Sequence, residues 1–88
     1  MILYSAYFKT VNKALDEEIR QAHLDYIYKL MDDGVIVAKG PFTDHSGGLI
    51  IYKASDFEEA SGYVMQDPVC LHGSRTVEIK EWKSSLEV

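Results

Sequence analysis

Residues 35–54 read VIVAKGPFTDHSGGLIIYKA, and this stretch contains two strand-like runs on either side of a turn-rich segment. Residues 35–38 and 48–54 are dominated by apolar and β-branched types, and both runs therefore favour strands. The segment between them, residues 40–47, is rich in glycine, proline and small polar residues, which is typical of a loop. We predict two consecutive strands joined by this loop.

A helix is predicted immediately before this stretch, over residues 15–33. Its apolar residues recur at three- and four-residue spacing, as they do on the buried face of a helix. Acidic residues at positions 16–18 suit the positive end of the helix dipole. Gly34 follows the helix and supplies the left-handed conformation with which many helices end.

A second helix is predicted after the stretch. Ser55 and Glu58 stand three residues apart, which is the spacing of a capping box with Ser55 as the N-cap. This helix should run to about Gln66. It should stop before Asp67 and Pro68, because a residue that precedes proline avoids helical torsion angles.

Two further strands complete the pattern at the two ends of the chain. Residues 2–9 are rich in aromatic and β-branched types, and residues 74–82 alternate between two sets of side chains. The order is therefore β-α-β-β-α-β. It predicts an α+β, ferredoxin-like domain, with a four-stranded antiparallel sheet and two helices on one face.

One face of this sheet has no covering layer within a single chain. Twofold pairing of two sheets is the simplest way to cover it, so we predict a homodimer through the sheet faces. The strands carry several large side chains that are candidates for this surface, namely Tyr4, Tyr7, Ile50, Tyr52 and Trp82.

Length and composition limit the possible functions. The 88 residues predict a single domain over residues 1–88, and 47% hydrophobic content argues against disorder. Nine basic against fourteen acidic residues, a net charge of −5, argue against binding of nucleic acid or an anionic membrane. The lone Cys70 excludes an internal disulfide, and its environment offers no activating base, so we interpret it as structural. We predict a cytoplasmic protein.

The predicted topology gathers distant residues at one end of the sheet. The first strand, the 40–47 loop and the start of the last strand share that end, and His23 lies about 10 Å along the first helix. His23, Asp44, His45 and His72 should therefore lie near one another. No spacing of histidines and cysteines resembles a metal site, so no metal is predicted.

His23 and Asp44 are the strongest candidates for a catalytic pair. A carboxylate that accepts a hydrogen bond from one imidazole nitrogen fixes the tautomer and leaves the other nitrogen as a base. Each residue also has a structural interpretation: His23 as a half-buried histidine bonded to a carbonyl, and Asp44 as an Asx-turn residue. Similarly, Asp67 is interpreted as completing a turn with Pro68, and His45 and His72 as loop residues.

An ordered set of residues spread over nearly the whole chain resembles the YciI-like, or YCII-related, family. The set consists of His23-Leu24, Gly34, Gly40-Pro41-Phe42 with Asp44, Gly47-Gly48, Glu59-Ala60, Asp67-Pro68 and Gly73. The resemblance implies a dimeric α+β barrel built from ferredoxin-like protomers. This chain departs from the family pattern at two positions. They are His45, directly after Asp44, and His72, before Gly73.

The resemblance also implies a function. It makes His23 and Asp44 a catalytic pair for proton transfer on a small cyclic or aromatic-derived molecule, without cofactor or metal. We therefore expect a lyase or isomerase whose substrate lies between the first helix, the 40–47 loop and the sheet. The expected substrate contacts are Tyr7, Gly40, Pro41, Phe42 and His72. The alternative is a non-catalytic dimer that binds a small molecule or another protein.

Overall fold

The computed structural model describes residues 1–88 and has the predicted order of strands, with the two helical regions divided further. Four strands and four helices follow one another along the chain. They are β1 (Ile2–Thr10), α1 (Lys13–Glu18), α2 (Arg20–Asp32), β2 (Ile36–Pro41), β3 (Gly47–Tyr52), α3 (Phe57–Met65), α4 (Pro68–Leu71) and β4 (Arg75–Lys83).

The strands form one antiparallel sheet in the order β2-β3-β1-β4. β1 is central: Tyr4 pairs with Tyr52 of β3 on one side and with Glu81 of β4 on the other. Directly paired residues point to the same face of a sheet. This register therefore fixes which side chains face the helices.

The core lies between the sheet and the helices. From the sheet it takes buried side chains such as Phe8 and Tyr52, and from the helices it takes Ile27 of α2 and Val64 of α3. In α2 the buried residues are His23, Ile27 and Leu30, at the spacing predicted for a helix face. A histidine therefore occupies one position of an otherwise apolar stripe.

The first helical region differs from the prediction at its start and in its middle. Asn12 caps α1 by accepting a hydrogen bond from the backbone N–H of Leu15 at 3.1 Å, so the helix begins at Lys13 rather than at residue 15. The backbone of Ile19 (φ −97°, ψ 7°) then separates α1 from α2. Neither glycine nor proline marks this break, and the apolar spacing continues across it.

The second helical region also departs from the prediction. Asp56, not Ser55, is the N-cap of α3, because its carboxylate accepts from the backbone N–H of Glu59. Glu59 in turn accepts from the backbone N–H of Ser55, so the capping box lies one residue later than predicted. The short helix α4, which begins at Pro68, was not predicted at all.

The uncovered sheet face carries fewer of the predicted side chains. Tyr4, Ile50 and Tyr52 belong to the core on the helix side. Of the predicted set, only Tyr7 and Trp82 lie on the other face, as the alternation of side chains along a strand requires. Tyr7 is 48% exposed and Trp82 is 40% exposed. The prediction for the other three was wrong because the register places them on the helix side.

The C-terminal residues lie against one end of the sheet. The amino group of Met1 donates to the backbone carbonyls of Ser84 and Leu86, and Lys53 donates to that of Val88. Met1 directly precedes β1, and Lys53 directly follows β3. None of the helices has the length and apolar character required to cross a bilayer.

Candidate active site

A cleft of about 100 Å³ opens between α2 and the sheet. The helix contributes His23 and Leu24 to its wall, and the sheet contributes Phe8 and Ile50. The end of β2 and the start of β3, on either side of the 42–46 loop, also line the cleft. Their lining residues include Gly40, Pro41, Gly47 and Gly48. The predicted region between helix, loop and sheet is thus a real cavity.

Within this cleft, the partner of His23 is Asp67. Nδ1 of His23 lies 2.7 Å from Oδ1 of Asp67, and both side chains are buried. This distance is that of a strong, charge-assisted hydrogen bond. The prediction that Asp44 holds His23 was wrong.

Local structure positions Asp67 with little freedom. It is the N-cap of α4, and its Oδ1 also accepts a hydrogen bond from the backbone N–H of Val69 at 3.1 Å. Pro68, the first helical residue, restricts the backbone at the same point. The interpretation of Asp67 as a turn residue before proline was therefore correct but incomplete, because the same carboxylate oxygen also accepts from His23.

This arrangement defines the chemistry of the imidazole. A carboxylate can only accept hydrogen bonds, so the neutral ring carries its proton on Nδ1. Nε2 is then left with a lone pair. Because Nδ1 is occupied by Asp67, Nε2 is the ring nitrogen available to a molecule in the cleft. Such a nitrogen can accept a proton as a general base and return it as a general acid.

Asp44 instead forms an Asx turn within its own loop. Its Oδ1 accepts from the backbone N–H of Ser46 at 3.0 Å and from the Ser46 hydroxyl at 2.6 Å. These hydrogen bonds hold the pKa of Asp44 below its ordinary value. The residue is exposed and does not line the cleft. The Asx-turn interpretation was the correct one.

The other predicted contacts divide into two groups. Gly40 and Pro41 line the cleft. Tyr7 and Phe42 pack against each other, with ring centroids 5.0 Å apart, and Tyr7 lies on the opposite face of the sheet from the cleft. His72 caps the end of α4, is exposed and does not reach the cleft.

His45 is also separate from His23. It stands in the left-handed conformation (φ 63°) that closes the 42–46 loop. It lines a second, more open cavity of about 340 Å³ with Lys13 and Glu17 of α1 and with Arg20, which borders both cavities. The topology thus places His23, Asp44, His45 and His72 near one end of the sheet, but only His23 reaches the cleft.

The groups that surround Asp67 are poor proton acceptors. Burial, followed by the charge of Asp67, raises the pKa of Tyr26 to about 12 and that of the Cys70 thiol to about 11. The same two causes raise the pKa of Tyr52, whose hydroxyl is buried without a hydrogen-bond partner. All three stay protonated at neutral pH, so none competes with His23 as a base. No three His, Cys, Asp or Glu side chains are grouped so as to hold a metal ion.

Arg75, which lines the cleft, forms an ion pair with Asp16 outside it. Arg75 of β4 donates from Nε and Nη2 to the two carboxylate oxygens of Asp16, at 2.8 and 2.9 Å. The Ser74 hydroxyl donates to the same carboxylate. Burial alone would raise the pKa of Asp16, but these hydrogen bonds outweigh it and lower the pKa. The pair fastens α1 to the start of β4.

We expect Asp16→Asn to reduce stability in a pH-dependent way. The pKa of Asp16 is lower in the folded chain than in the unfolded chain, so the carboxylate stabilises the fold above its ordinary value of 3.8. This contribution disappears as the pH falls from that value through the folded pKa. Urea unfolding at pH 7 should show a loss of about 1–2 kcal/mol for the variant.

The control is Glu17→Gln, which removes a charge from the same helix at an exposed residue outside any ion pair. Its free energy of unfolding should stay within about 0.5 kcal/mol of wild type. A difference between wild type and Asp16→Asn that does not shrink below pH 4 would contradict the role of the ion pair.

Neither Asp67 nor the basic residues of the cleft were predicted as site residues. The signal for Asp67 was present, since aspartate before proline is a typical N-cap with proline at the first helical position. Arg20, Lys39 and Arg75 also line the cleft. They stand in three different elements, and no motif relates them.

The fold and cleft define a ferredoxin-like α+β protein with a buried His–Asp pair beside a small cavity. A family model described as a YCII-related domain matches residues 2–83. The chain therefore belongs to the YCII-related family, as its residues predicted. Over 68 residues it is 32% identical to the uncharacterized protein YjpA of Bacillus subtilis strain 168, covering 77% of this chain and 80% of YjpA.

The fold is also similar to that of a solved structure. This is the 5-chloro-2-hydroxyhydroquinone dehydrochlorinase TftG from Burkholderia phenoliruptrix AC1100, in complex with 2,5-dihydroxybenzoquinone. The TM-score is 0.79 at 24% sequence identity, and the match covers 94% of this chain and 95% of TftG. The likeness confirms the predicted ferredoxin-like arrangement.

Proposed function

We propose that this protein is a cofactor-independent lyase or isomerase that acts on a small cyclic or aromatic-derived molecule. Nε2 of His23 is the general base, and Asp67 holds the imidazole in the required tautomer. The observation that carries this proposal is the buried 2.7 Å contact between His23 Nδ1 and Asp67 Oδ1 beside an open cleft. His23 also lines this cleft, which a histidine with a structural role alone does not require.

Family and fold support the same class of reaction. A dehydrochlorinase removes the elements of HCl, which requires a base for the proton and an exit for chloride. TftG, which has this fold, is named for that reaction and was solved with a hydroxylated quinone. The cleft here has room for part of such a ring, with Phe8 and Ile50 as apolar walls.

The chemical step needs one base. Nε2 takes a proton from a carbon activated by a neighbouring carbonyl or enol, and the electron pair of the broken C–H bond moves into the ring system. In a lyase that pair expels a leaving group such as chloride. In an isomerase the imidazolium returns the proton to another carbon. The Asp67 carboxylate stabilises the imidazolium between the two steps.

Turnover of two compounds tests the proposal. The first is 5-chloro-2-hydroxyhydroquinone, for which we expect release of one chloride and one proton per molecule above the uncatalysed rate. The second is 2,5-dihydroxybenzoquinone in D2O, for which we expect catalysed loss of the ring C–H signals in ¹H NMR. Exchange adds a deuteron to the ring carbon and then removes the original proton from it, so it requires an acid–base group such as His23 but no leaving group. If both compounds bind in the cleft and neither reacts, the protein is a binding module and the catalytic proposal is wrong.

We also propose that two copies pair through the uncovered sheet face. Its exposed apolar side chains are Tyr7, Leu49 and Trp82, on three adjacent strands. Sedimentation equilibrium should give twice the 10.0 kDa mass of one chain. Trp82→Glu should give the monomer mass, whereas Met65→Glu, at an exposed site on α3, should leave the dimer intact. A monomeric wild type would contradict this proposal.

A further inference from the structure

The cleft is positively charged in a protein that is negatively charged overall. Three of its eleven lining residues are basic, namely Arg20, Lys39 and Arg75, and none is aspartate or glutamate. The whole chain has nine basic and fourteen acidic residues. Three of the nine basic residues therefore face one small cleft whose wall contains no carboxylate.

Two of these three cations are available to a ligand. The charge of Arg75 is compensated by Asp16, which accepts from it at 2.8 and 2.9 Å. Arg20 and Lys39 form neither an ion pair nor a side-chain hydrogen bond with any protein group. Their positive charges in the wall are therefore not balanced by the protein.

The two cations approach the cleft from different walls. Arg20 is the first residue of α2 and precedes His23 by three positions, so both side chains lie on one face of the helix. Lys39 comes from β2, and its Nζ lies 5.3 Å from the centroid of the Tyr28 ring. This cation–π contact places the ammonium group over an aromatic ring of α2, next to the wall that His23 and Leu24 form.

The opposite part of the cleft is apolar and small. Phe8 and Ile50 form its floor, and both are buried. The cavity volume of about 100 Å³ is below the roughly 150 Å³ of an engineered cavity that binds benzene. A single ring can therefore enter only in part, with its polar substituents at the rim near the two cations.

We propose that the cleft binds a small cyclic organic anion, a carboxylate or an enolate, with its ring on Phe8 and Ile50 and its charge between Arg20 and Lys39. The inference rests on the proposed function for the identity of the site, and it names the charge class of the substrate. Negative charge that develops on a ring oxygen when His23 removes a proton is stabilised by the same two cations. Binding itself does not require turnover.

Benzoate is a suitable probe, because it combines one ring with one carboxylate. We expect it to shift the backbone NMR signals of His23, Leu24, Gly47 and Gly48. Benzyl alcohol has the ring without the charge, and inorganic phosphate has charge without the ring. Both should bind at least about tenfold more weakly than benzoate, since each lacks one of the two contacts.

Substitutions at the two cations then test the charge contacts. Arg20→Gln and Lys39→Gln should each raise the Kd for benzoate by about fivefold to tenfold. Lys29→Gln removes the same charge from an exposed position on α2 outside the cleft, and it should leave the Kd unchanged. The Kd for benzyl alcohol should change in none of the three variants.

Several outcomes would overturn the inference. These are no benzoate binding, equal affinity for benzyl alcohol, equal affinity for phosphate, or equal effects of Lys29→Gln and Arg20→Gln. The binding experiments with benzoate and the turnover experiments of the proposed function can fail independently. Charge-dependent benzoate binding without turnover of any substrate would overturn only the catalytic proposal. Turnover that is insensitive to Arg20→Gln and Lys39→Gln would overturn only the inference.

Discussion

Turnover should fall by about 10²–10⁴-fold in His23→Gln, which is the usual contribution of a well-placed general base. Glutamine retains a polar group at this position on α2 but cannot take a proton at neutral pH. The Kd for a bound ligand should change much less than the turnover number, because the cations and the apolar floor remain. Chloride release from 5-chloro-2-hydroxyhydroquinone and ring deuterium exchange are the measurements.

Asp67→Asn should lower turnover on the order of 10²-fold, because an amide neither fixes the ring tautomer nor stabilises the imidazolium as a carboxylate does. The matched control is Asp44→Asn, the same substitution at the acid that bonds only within its own loop. Its turnover should equal that of wild type. Circular dichroism must show that His23→Gln, Asp67→Asn and Asp44→Asn are all folded. Loss of activity in Asp44→Asn with full activity in Asp67→Asn would contradict the assignment of Asp67 as the residue that orients His23.

Gly47→Ala should produce the largest loss of stability. A Cβ atom at Gly47 would lie 1.9 Å from the backbone carbonyl oxygen of Phe8, in the paired strand β1. Backbone atoms cannot move aside as a flexible side chain can, so β1 and β3 must separate locally. We expect a loss of about 2–4 kcal/mol. Thermal unfolding should then show a Tm lower by roughly 10–30 °C.

Gly62→Ala provides the comparison, because it is the same substitution in open space. Gly62 is exposed within α3, and no atom beyond its chain neighbours and the helix backbone lies within 4 Å of the position its Cβ would take. Alanine favours the helix over glycine by about 0.5–1 kcal/mol, so this variant should be slightly more stable than wild type. A Gly47→Ala variant with the Tm of wild type would show that the strands do not approach as closely as described.

Much of the fold could be predicted from local patterns. Apolar periodicity and the turn-rich 40–47 segment are properties of consecutive residues. They were sufficient for the order of the four strands and the two helical regions, but not for the break at Ile19 or for α4. The assignment of Tyr4 and Tyr52 to a sheet face failed because face depends on register, which is set by pairing between distant strands. The capping box was misplaced by one residue because both Ser55 and Asp56 are good N-caps.

The site could be predicted only in part. His23 was identifiable because a histidine interrupts the apolar stripe of α2. Its partner was not, since Asp44 and Asp67 both belong to the end of the sheet near His23, and topology alone does not distinguish them. The orientation of Asp67 is set by its hydrogen bond to Val69 at the start of α4, a helix that the sequence analysis did not predict.

The proposed chemistry requires that Asp67 fix the imidazole of His23 with Nε2 as the free base. ¹⁵N NMR of the imidazole nitrogens, at a pH where the ring is neutral, measures the tautomer directly. We predict a proton on Nδ1 and none on Nε2 in wild type and in Asp44→Asn, with the preference lost in Asp67→Asn. A proton on Nε2 in the wild-type protein, or a tautomer that responds to Asp44→Asn and not to Asp67→Asn, would contradict the claim.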